Sequence, residues 1–244
     1  KFLQRKDRFL FRKAYFCQRL EFINSNILDS DQEILDLGCG YGTTALFLAL
    51  NGYKVKGITL EFYSEVIPQR IEYWKQYGDT SLFTWSHENI FDNQSEKESY
   101  NCIIAQDTLH HIEPCKEAIN IINDKLKPNG KLIVVEENGD NLLLRLLLYR
   151  QRGNNRVISQ YDEVLKKEIL LGNENVRGLK EWTRLIEGTK FEIQKELTKY
   201  IRFYLPYKFR SSGYTNTILS ENKIKSNLMQ KYLFYSLNFV ALKN

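Results

Sequence analysis

Along the first 137 residues, short apolar runs bounded by turn residues alternate with stretches whose apolar positions recur at helical spacing. The runs EILDL (33–37), YKVKGITL (53–60), SLFTWS (81–86), YNCIIA (100–105) and KLIVVEE (131–137) concentrate β-branched and aromatic residues and predict five strands. Between them, TTALFLALNG, SEVIPQRIEYWKQYG and CKEAINIINDKLKPNG predict helices that each close on a glycine. This alternation predicts parallel strands joined by right-handed helical crossovers, an α/β fold with a doubly wound sheet.

After residue 137 the rhythm changes. Residues 138–190 read as helical and irregular, with NLLLRLLLYRQRG and GLKEWTRLIEG, before FEIQKELTKYIRFYL and YLFYSLNFVALKN resume strand character. The economical expectation is a final antiparallel hairpin, with a helical cap over 138–190 inserted between the fifth and sixth strands. Without an internal repeat, low-complexity tract or linker, residues 1–244 read as one domain. At its start, Phe2, Phe9, Phe16 and Ile23 recur at heptad spacing beside Leu20, predicting an amphipathic helix over 1–28 laid on something apolar.

Composition fits this picture: 43% hydrophobic and 27% charged residues describe an ordinary globular chain. The densest apolar run, NLLLRLLLY, is under half the roughly 20 residues of a spanning helix, so no membrane span is expected, and peripheral membrane contact stays open. The first residue is Lys1 and the only methionine is Met229, so any targeting information upstream lies outside this reading. Cys17, Cys39, Cys102 and Cys115 show neither C-x-x-C spacing nor a histidine cluster nearby; reduced cytoplasmic thiols are expected, with no disulfide framework and no metal. The net charge is +5, yet residues 1–20 set seven basic side chains against Asp7 alone and carry +6, so the basicity belongs to an arm.

The stretch ILDLGCGYGTT (34–44) places glycines at every second position behind a strand. In an open α/β sheet, ligands bind beyond the carboxyl ends of the strands, and the first strand-to-helix turn lies where the strand order reverses. Missing side chains there admit unusual dihedrals and let a ligand lie against the backbone. Dinucleotide folds use G-x-G-x-x-G to bring a helix N-terminus to a pyrophosphate. Here the pattern is D-x-G-x-G-x-G, with Asp36 just before the turn. A carboxylate in that place repels pyrophosphate and attracts an ammonium.

LDLGCGYG, CIIAQDTLHHI and INDKLKPNGKLIVVE, in this order and spacing, resemble the motifs of class I S-adenosylmethionine-dependent methyltransferases over nearly the whole chain. The resemblance implies a Rossmann-like seven-stranded sheet, mostly parallel with a C-terminal antiparallel hairpin and helices on both faces, and S-adenosylmethionine as cofactor. It places Asp36 near the methionine ammonium, with Gly38, Cys39, Gly40 and Gly42 along the cofactor. One departure stands in GITLE: where much of the family has an acid for the ribose hydroxyls, this chain has Thr59, then Leu60, with Glu61 two residues on. Similar G-[IL]-T-L versions occur in the cyclopropane synthase and tocopherol methyltransferase groups, so either Thr59 or Glu61 could serve. HENIF sets Glu88 at the adenine amino group, with Asn89 and Ile90 beside the ring, although Glu88 could equally cap a loop. Gln106 completes the implied cofactor set.

His110 and His111 follow the fourth strand, at the glycine-turn end of the sheet. A neutral imidazole there can take a proton from a hydroxyl or phenol as the methyl arrives. By resemblance to small-molecule methyltransferases carrying LHH, His110 is the favoured base and His111 the second; the alternative is a helix-start histidine satisfied by backbone. Glu136 or Glu137 could orient that histidine or the acceptor, and an acid at a strand end is also often just solvated.

The [DN]-P-P-[YFW] motif used on nucleobase amines is replaced by AQDT, which argues against that chemistry. The basic arm could still hold nucleic acid. An amphipathic helix is more often a lid across a substrate pocket, and a membrane-surface contact is a third reading. The leucine-rich cap and the aromatic cluster Tyr200 to Tyr214 favour a hydrophobic natural product, quinone-like ring or lipid-like acceptor. The expected activity is methyl transfer to such a small acceptor, with oxygen favoured and nitrogen or carbon open. The alternatives are an RNA methyltransferase using the arm and a non-catalytic methyltransferase-like partner subunit, which the intact first motif argues against. Oligomeric state is left open.

Overall fold

A computed structural model describes residues 6–27, 33–60, 65–209 and 214–244 of the chain. Its centre is a seven-stranded sheet made of β1 (Glu33–Leu37), β2 (Lys54–Thr59), β3 (Phe83–His87), β4 (Tyr100–Gln106), β5 (Leu126–Glu137), β8 (Phe191–Ile201) and β9 (Ser236–Lys243). The order across the sheet is β3-β2-β1-β4-β5-β9-β8, with β1 to β5 parallel and β9 antiparallel to both neighbours. The strand order reverses between β1 and β4, so their carboxyl ends flank the crevice that the glycine turn predicted.

Period-two alternation explains why helices cover both faces. On one side Leu35, Leu37, Leu132 and Val134 meet Ala118, Ile119 and Ile122 of α4 (Cys115–Lys125) and Trp182 of α6 (Leu179–Ile186). On the other, Ile34, Ile133 and Val135 meet α2 (Thr43–Leu50), Ile67 of α3 (Ile67–Trp74) and Phe22 and Ile23 of α1 (Lys6–Asn26). Trp182, 1% exposed with its ring centroid 6.0 Å from that of Phe239, anchors the first side. Truncating such a residue to alanine costs about 3–5 kcal/mol. The four cysteines are free thiols.

Three expectations change. Residues 138–190 are not wholly helical: after α5 (Leu142–Arg152) comes a two-stranded hairpin, β6 (Val157–Asp162) paired antiparallel with β7 (Lys167–Gly172). Its alternation was masked by polar residues, because Gln160 and Asp162 share the cavity face with Ile158. α6 packs on α4 as part of the sheet's cover. Second, the expected C-terminal antiparallel pair forms, but the residues that join it, 202–235, carry α7 (Tyr214–Asn222) and α8 (Asn227–Leu233), where no helix was expected. Third, α4 stops at Lys125, and the KPNG sequence expected to end it lies in a bulge of β5, where pairing jumps from Tyr100–Leu126 to Cys102–Lys131.

The N-terminal helix forms, but not on its heptad. Ile23 is fully buried while Phe9 is 41% exposed, as a straight helix drifting about 20° per heptad requires. Phe2 lies outside the described residues. The buried side of α1 meets the 202–235 connection, where the Arg202 guanidinium sits 4.7 Å from the Phe11 ring centroid and 4.3 Å from that of Phe209 and donates to Gln18 Oε1 at 2.6 Å.

Candidate active site

β1 delivers Asp36 to the sheet interior, 2% exposed. One carboxylate oxygen accepts the backbone N–H of Ala45, while Oδ2 is buried without a hydrogen-bond partner. Burial pushes its pKa up to about 7, against that single stabilising hydrogen bond. An acid held in this way is short of a cation. Gly38, Gly40 and Gly42 follow with φ of 75°, 52° and 68°, the left-handed region that favours glycine. A Cβ on Gly38 would fall 2.2 Å from Thr108 Oγ1.

Over this turn opens a cavity of about 320 Å³. Gly38, Thr59, Leu60, Glu88, Asn89, Ile90 and His111 border it, together with Asp107, Thr108, Ile112 and Leu171. Asn89 caps a short turn by accepting Phe91 N–H at 3.2 Å. Glu88 both borders the cavity and ties its loop, accepting Ser86 Oγ–H at 2.9 Å and Gln94 N–H at 3.3 Å. Glu61 lies outside the described residues. Asp36, Gly40 and Gly42 shape the floor without bordering the cavity. Cys39 packs against Gly57, where a Cβ would sit 2.7 Å from its sulfur, and Gln106 accepts from Thr44 Oγ1 at 3.2 Å.

The two histidines have different surroundings. They share a 3-10 turn, Leu109–His111, with ring centroids 4.0 Å apart. His110 is buried, and its Nδ1 makes a short hydrogen bond to Glu136 Oε2. Glu136 Oε1 accepts the backbone N–H groups of Thr108 at 3.0 Å and Leu109 at 2.6 Å. Burial alone would lower the His110 pKa, but the charge and hydrogen bond of Glu136 outweigh it and carry it up to about 9. Burial likewise acts to raise the Glu136 carboxyl, and the His110 charge holds it below its ordinary range. His110 has its Nδ1 committed to Glu136 and does not border the cavity, whereas the sequence favoured it as a free base. Glu137 instead accepts from the Tyr235 hydroxyl.

His111 is half-buried, with Nδ1 3.1 Å from the Gly172 carbonyl oxygen. It borders the first cavity and a second of about 300 Å³, which also share Leu60 and Leu171. The inner face of the hairpin, Ile158, Gln160, Asp162, Ile169 and Leu171, walls the second cavity, and Asn173 and Glu174 close it. The segment GNENVR (172–177) fastens the hairpin to the histidine turn. A Cβ on Gly172 would lie 2.0 Å from the His110 carbonyl oxygen, Asn175 N–H donates to that oxygen at 3.1 Å, and Arg177 and Asn175 both reach Glu113. Sequence reasoning missed this segment; its one signal is a glycine ending an alternating run. Above Asp107, a non-glycine residue with φ 51°, Arg19 of α1 forms an ion pair.

A family profile described as a methyltransferase domain matches residues 7–170. The chain belongs to this methyltransferase family. The family's cofactor is S-adenosylmethionine, and the residues present fit it: the buried Asp36 oxygen without a partner suits an ammonium, and a side chain on Gly38 would fill the cradle. A ubiquinone biosynthesis O-methyltransferase of Rickettsia felis is 30% identical over 123 residues, 48% of this chain and 48% of that protein. The chain thus spans about half the length of the curated relatives it matches. Among solved structures, the YcgJ protein of Bacillus subtilis superposes with a TM-score of 0.62 at 12% identity, covering 93% of this chain and 98% of that one. A geranyl diphosphate C-methyltransferase of Streptomyces coelicolor, solved with Mg2+, geranyl diphosphate and S-adenosyl-L-homocysteine, gives 0.66 at 10% identity over 96% and 82%. These likenesses establish the Rossmann-like methyltransferase fold. Among the described residues no helix is long and apolar enough to cross a membrane.

Proposed function

We propose that this chain transfers the methyl group of S-adenosylmethionine to an oxygen of a small, apolar, ring-bearing acceptor seated under the β6–β7 hairpin. The observation that carries this reading is the pair of adjoining cavities that share His111, Leu60 and Leu171. The cofactor, when bound, supplies a methyl group on a sulfonium sulfur; the protein's task is alignment. In the first cavity, Thr59 faces the cofactor's ribose and Glu88 with Asn89 and Ile90 its adenine, while Asp36, buried behind the glycine turn, supplies the negative charge that draws its ammonium. In the second, Ile158, Ile169 and Leu171 hold the acceptor's apolar body, and His111, Asn173 and Glu174 meet its polar end.

His111, not His110, is the histidine that meets the acceptor; Glu136 fixes the His110 ring, and that ring packs on His111. α1 acts as a lid through Arg19 and Asp107, and the hairpin is the working part of the cap. The names of the curated relatives support oxygen and a quinone-like ring. The RNA reading loses ground because Arg19, one of the arm's cations, is buried in its pair with Asp107.

The test combines calorimetric titration with S-adenosylmethionine and turnover on hydroxylated aromatic acceptors. His111→Ala is expected to keep cofactor affinity within about twofold and to lose at least 100-fold in turnover. Unchanged turnover would remove His111 from the reaction.

A further inference from the structure

Among the described residues, one ligand atom each from His110, His111 and Glu174 lie within 4.8 Å of one another. Neither imidazole is free to turn. Nδ1 of His110 is held by Glu136 and Nδ1 of His111 by the Gly172 carbonyl oxygen, so Nε2 is the nitrogen of each ring that can take a metal, and on His110 the incoming cation displaces the Nε2 proton. Metal-binding histidines are oriented in this way, with the second ring nitrogen committed to a carboxylate or a backbone carbonyl.

The third group is also held in place. Glu174 adopts φ 51°, a conformation that L side chains rarely take, between two fastenings of the segment to the histidine turn, one at Gly172 and one at Asn175. Arg152 further donates to its carbonyl oxygen at 3.2 Å. Its carboxylate, however, forms an ion pair with no lysine or arginine among the described residues; it lies 3.7 Å from His110 Nε2. Strained backbone thus places a negative group opposite two imidazoles, on the wall of the acceptor cavity.

We propose that His110, His111 and Glu174 bind one divalent first-row transition cation, of the Zn2+, Mn2+ or Co2+ class, at the border of the two cavities. Two imidazole nitrogens and one carboxylate suit these ions, whereas Mg2+ and Ca2+ favour oxygen-only sets. Three protein ligands leave coordination positions open, as at sites where a metal holds a substrate. The cation anchors the acceptor's oxygen, a role that rests on the methyl-transfer reading; its binding does not. No spacing in the chain signals the site, because Glu174 stands far from the histidines in sequence.

The experiment uses untagged full chain, stripped with chelator and titrated calorimetrically with Zn2+, Co2+ and Mg2+ alone, with the visible absorption of Co2+ as the coordination signature. Expected are one Zn2+ or Co2+ per chain, Mg2+ at least 100-fold weaker, and at least tenfold weaker Co2+ binding in Glu174→Gln and in His111→Ala. In Glu174→Gln, affinity for S-adenosylmethionine should stay within about twofold, which also reports that the variant is folded. Failure of Co2+ to bind stoichiometrically, or unchanged binding in Glu174→Gln, overturns the metal site. Failure of wild type to bind S-adenosylmethionine overturns the functional reading and leaves the metal result standing.

Discussion

The cofactor side and the proposed acceptor side of the crevice are built by opposite strategies. Asp36, Gly38, Thr59 and Glu88 stand at or just beyond the ends of strands whose positions the sheet dictates, each within a few residues of a recognisable pattern. The acceptor side is assembled from a histidine turn after β4, a hairpin some 50 residues later and the GNENVR segment, joined only by tertiary contacts. A site made of strand ends comes with the fold; a site made of fastened segments depends on a few close approaches that can fail separately.

Two glycine substitutions break the comparison open with the largest expected effects. Gly38→Ala would drive a Cβ 2.2 Å from Thr108 Oγ1 at φ 75°. It is expected to weaken S-adenosylmethionine binding at least 100-fold and to cost about 2–4 kcal/mol in urea unfolding. Gly172→Ala would put a Cβ 2.0 Å from the His110 carbonyl oxygen. Turnover should fall on the order of 100-fold by displacement of the hairpin, with calorimetric cofactor affinity nearly unchanged. Parallel loss of cofactor affinity in both variants would mean that the two sides are a single unit.

Asp36 gives a smaller, graded effect. Its folded-state pKa, about 7, lies above the ordinary value of 3.8, so the charge it must carry to meet an ammonium is lost as pH falls through 7. Cofactor affinity measured by calorimetry should fall about tenfold per pH unit below 7 and level off above pH 8. Stability runs the other way. A raised carboxyl is fully tolerated below about 3.8 and destabilises as pH rises to about 7, so Asp36→Asn should unfold at higher temperature than wild type at pH 8 and not at pH 4. The acid is thus kept at a cost to the fold, which separates it from the neighbouring core residues.

This division explains what the sequence revealed. β1 to β4 start and end within about two residues of the apolar runs that predicted them, and Gly38, Thr59, Glu88, Asn89 and Ile90 border the cavity. Short-range periodicity encodes such elements directly. The hairpin stayed hidden because Gln160 and Asp162 interrupt the apolar positions of its cavity face, polar residues that a two-stranded ribbon outside the main sheet tolerates and a core strand would not. The proposal turns from His110 to His111 for a similar reason. Only the tertiary fold sets Glu136 against the first ring and the Gly172 carbonyl against the second.

The smallest expected effect tests whether the hairpin's apolar row faces the acceptor at all. Ile158 is partly buried, on the cavity face of β6, and Ile158→Val removes one methylene while keeping the branched shape that a strand prefers. In a two-stranded ribbon outside the main sheet this change should cost about 1 kcal/mol or less in stability. If the side chain touches the acceptor, kcat/KM for the acceptor falls by roughly 5- to 10-fold, because a missing methylene in an apolar pocket is worth about 1 kcal/mol or more of transition-state binding. KM for S-adenosylmethionine should not move, since Ile158 borders the second cavity and not the first. Equal shifts in both constants would place the acceptor elsewhere and leave the hairpin as cover for the cofactor side.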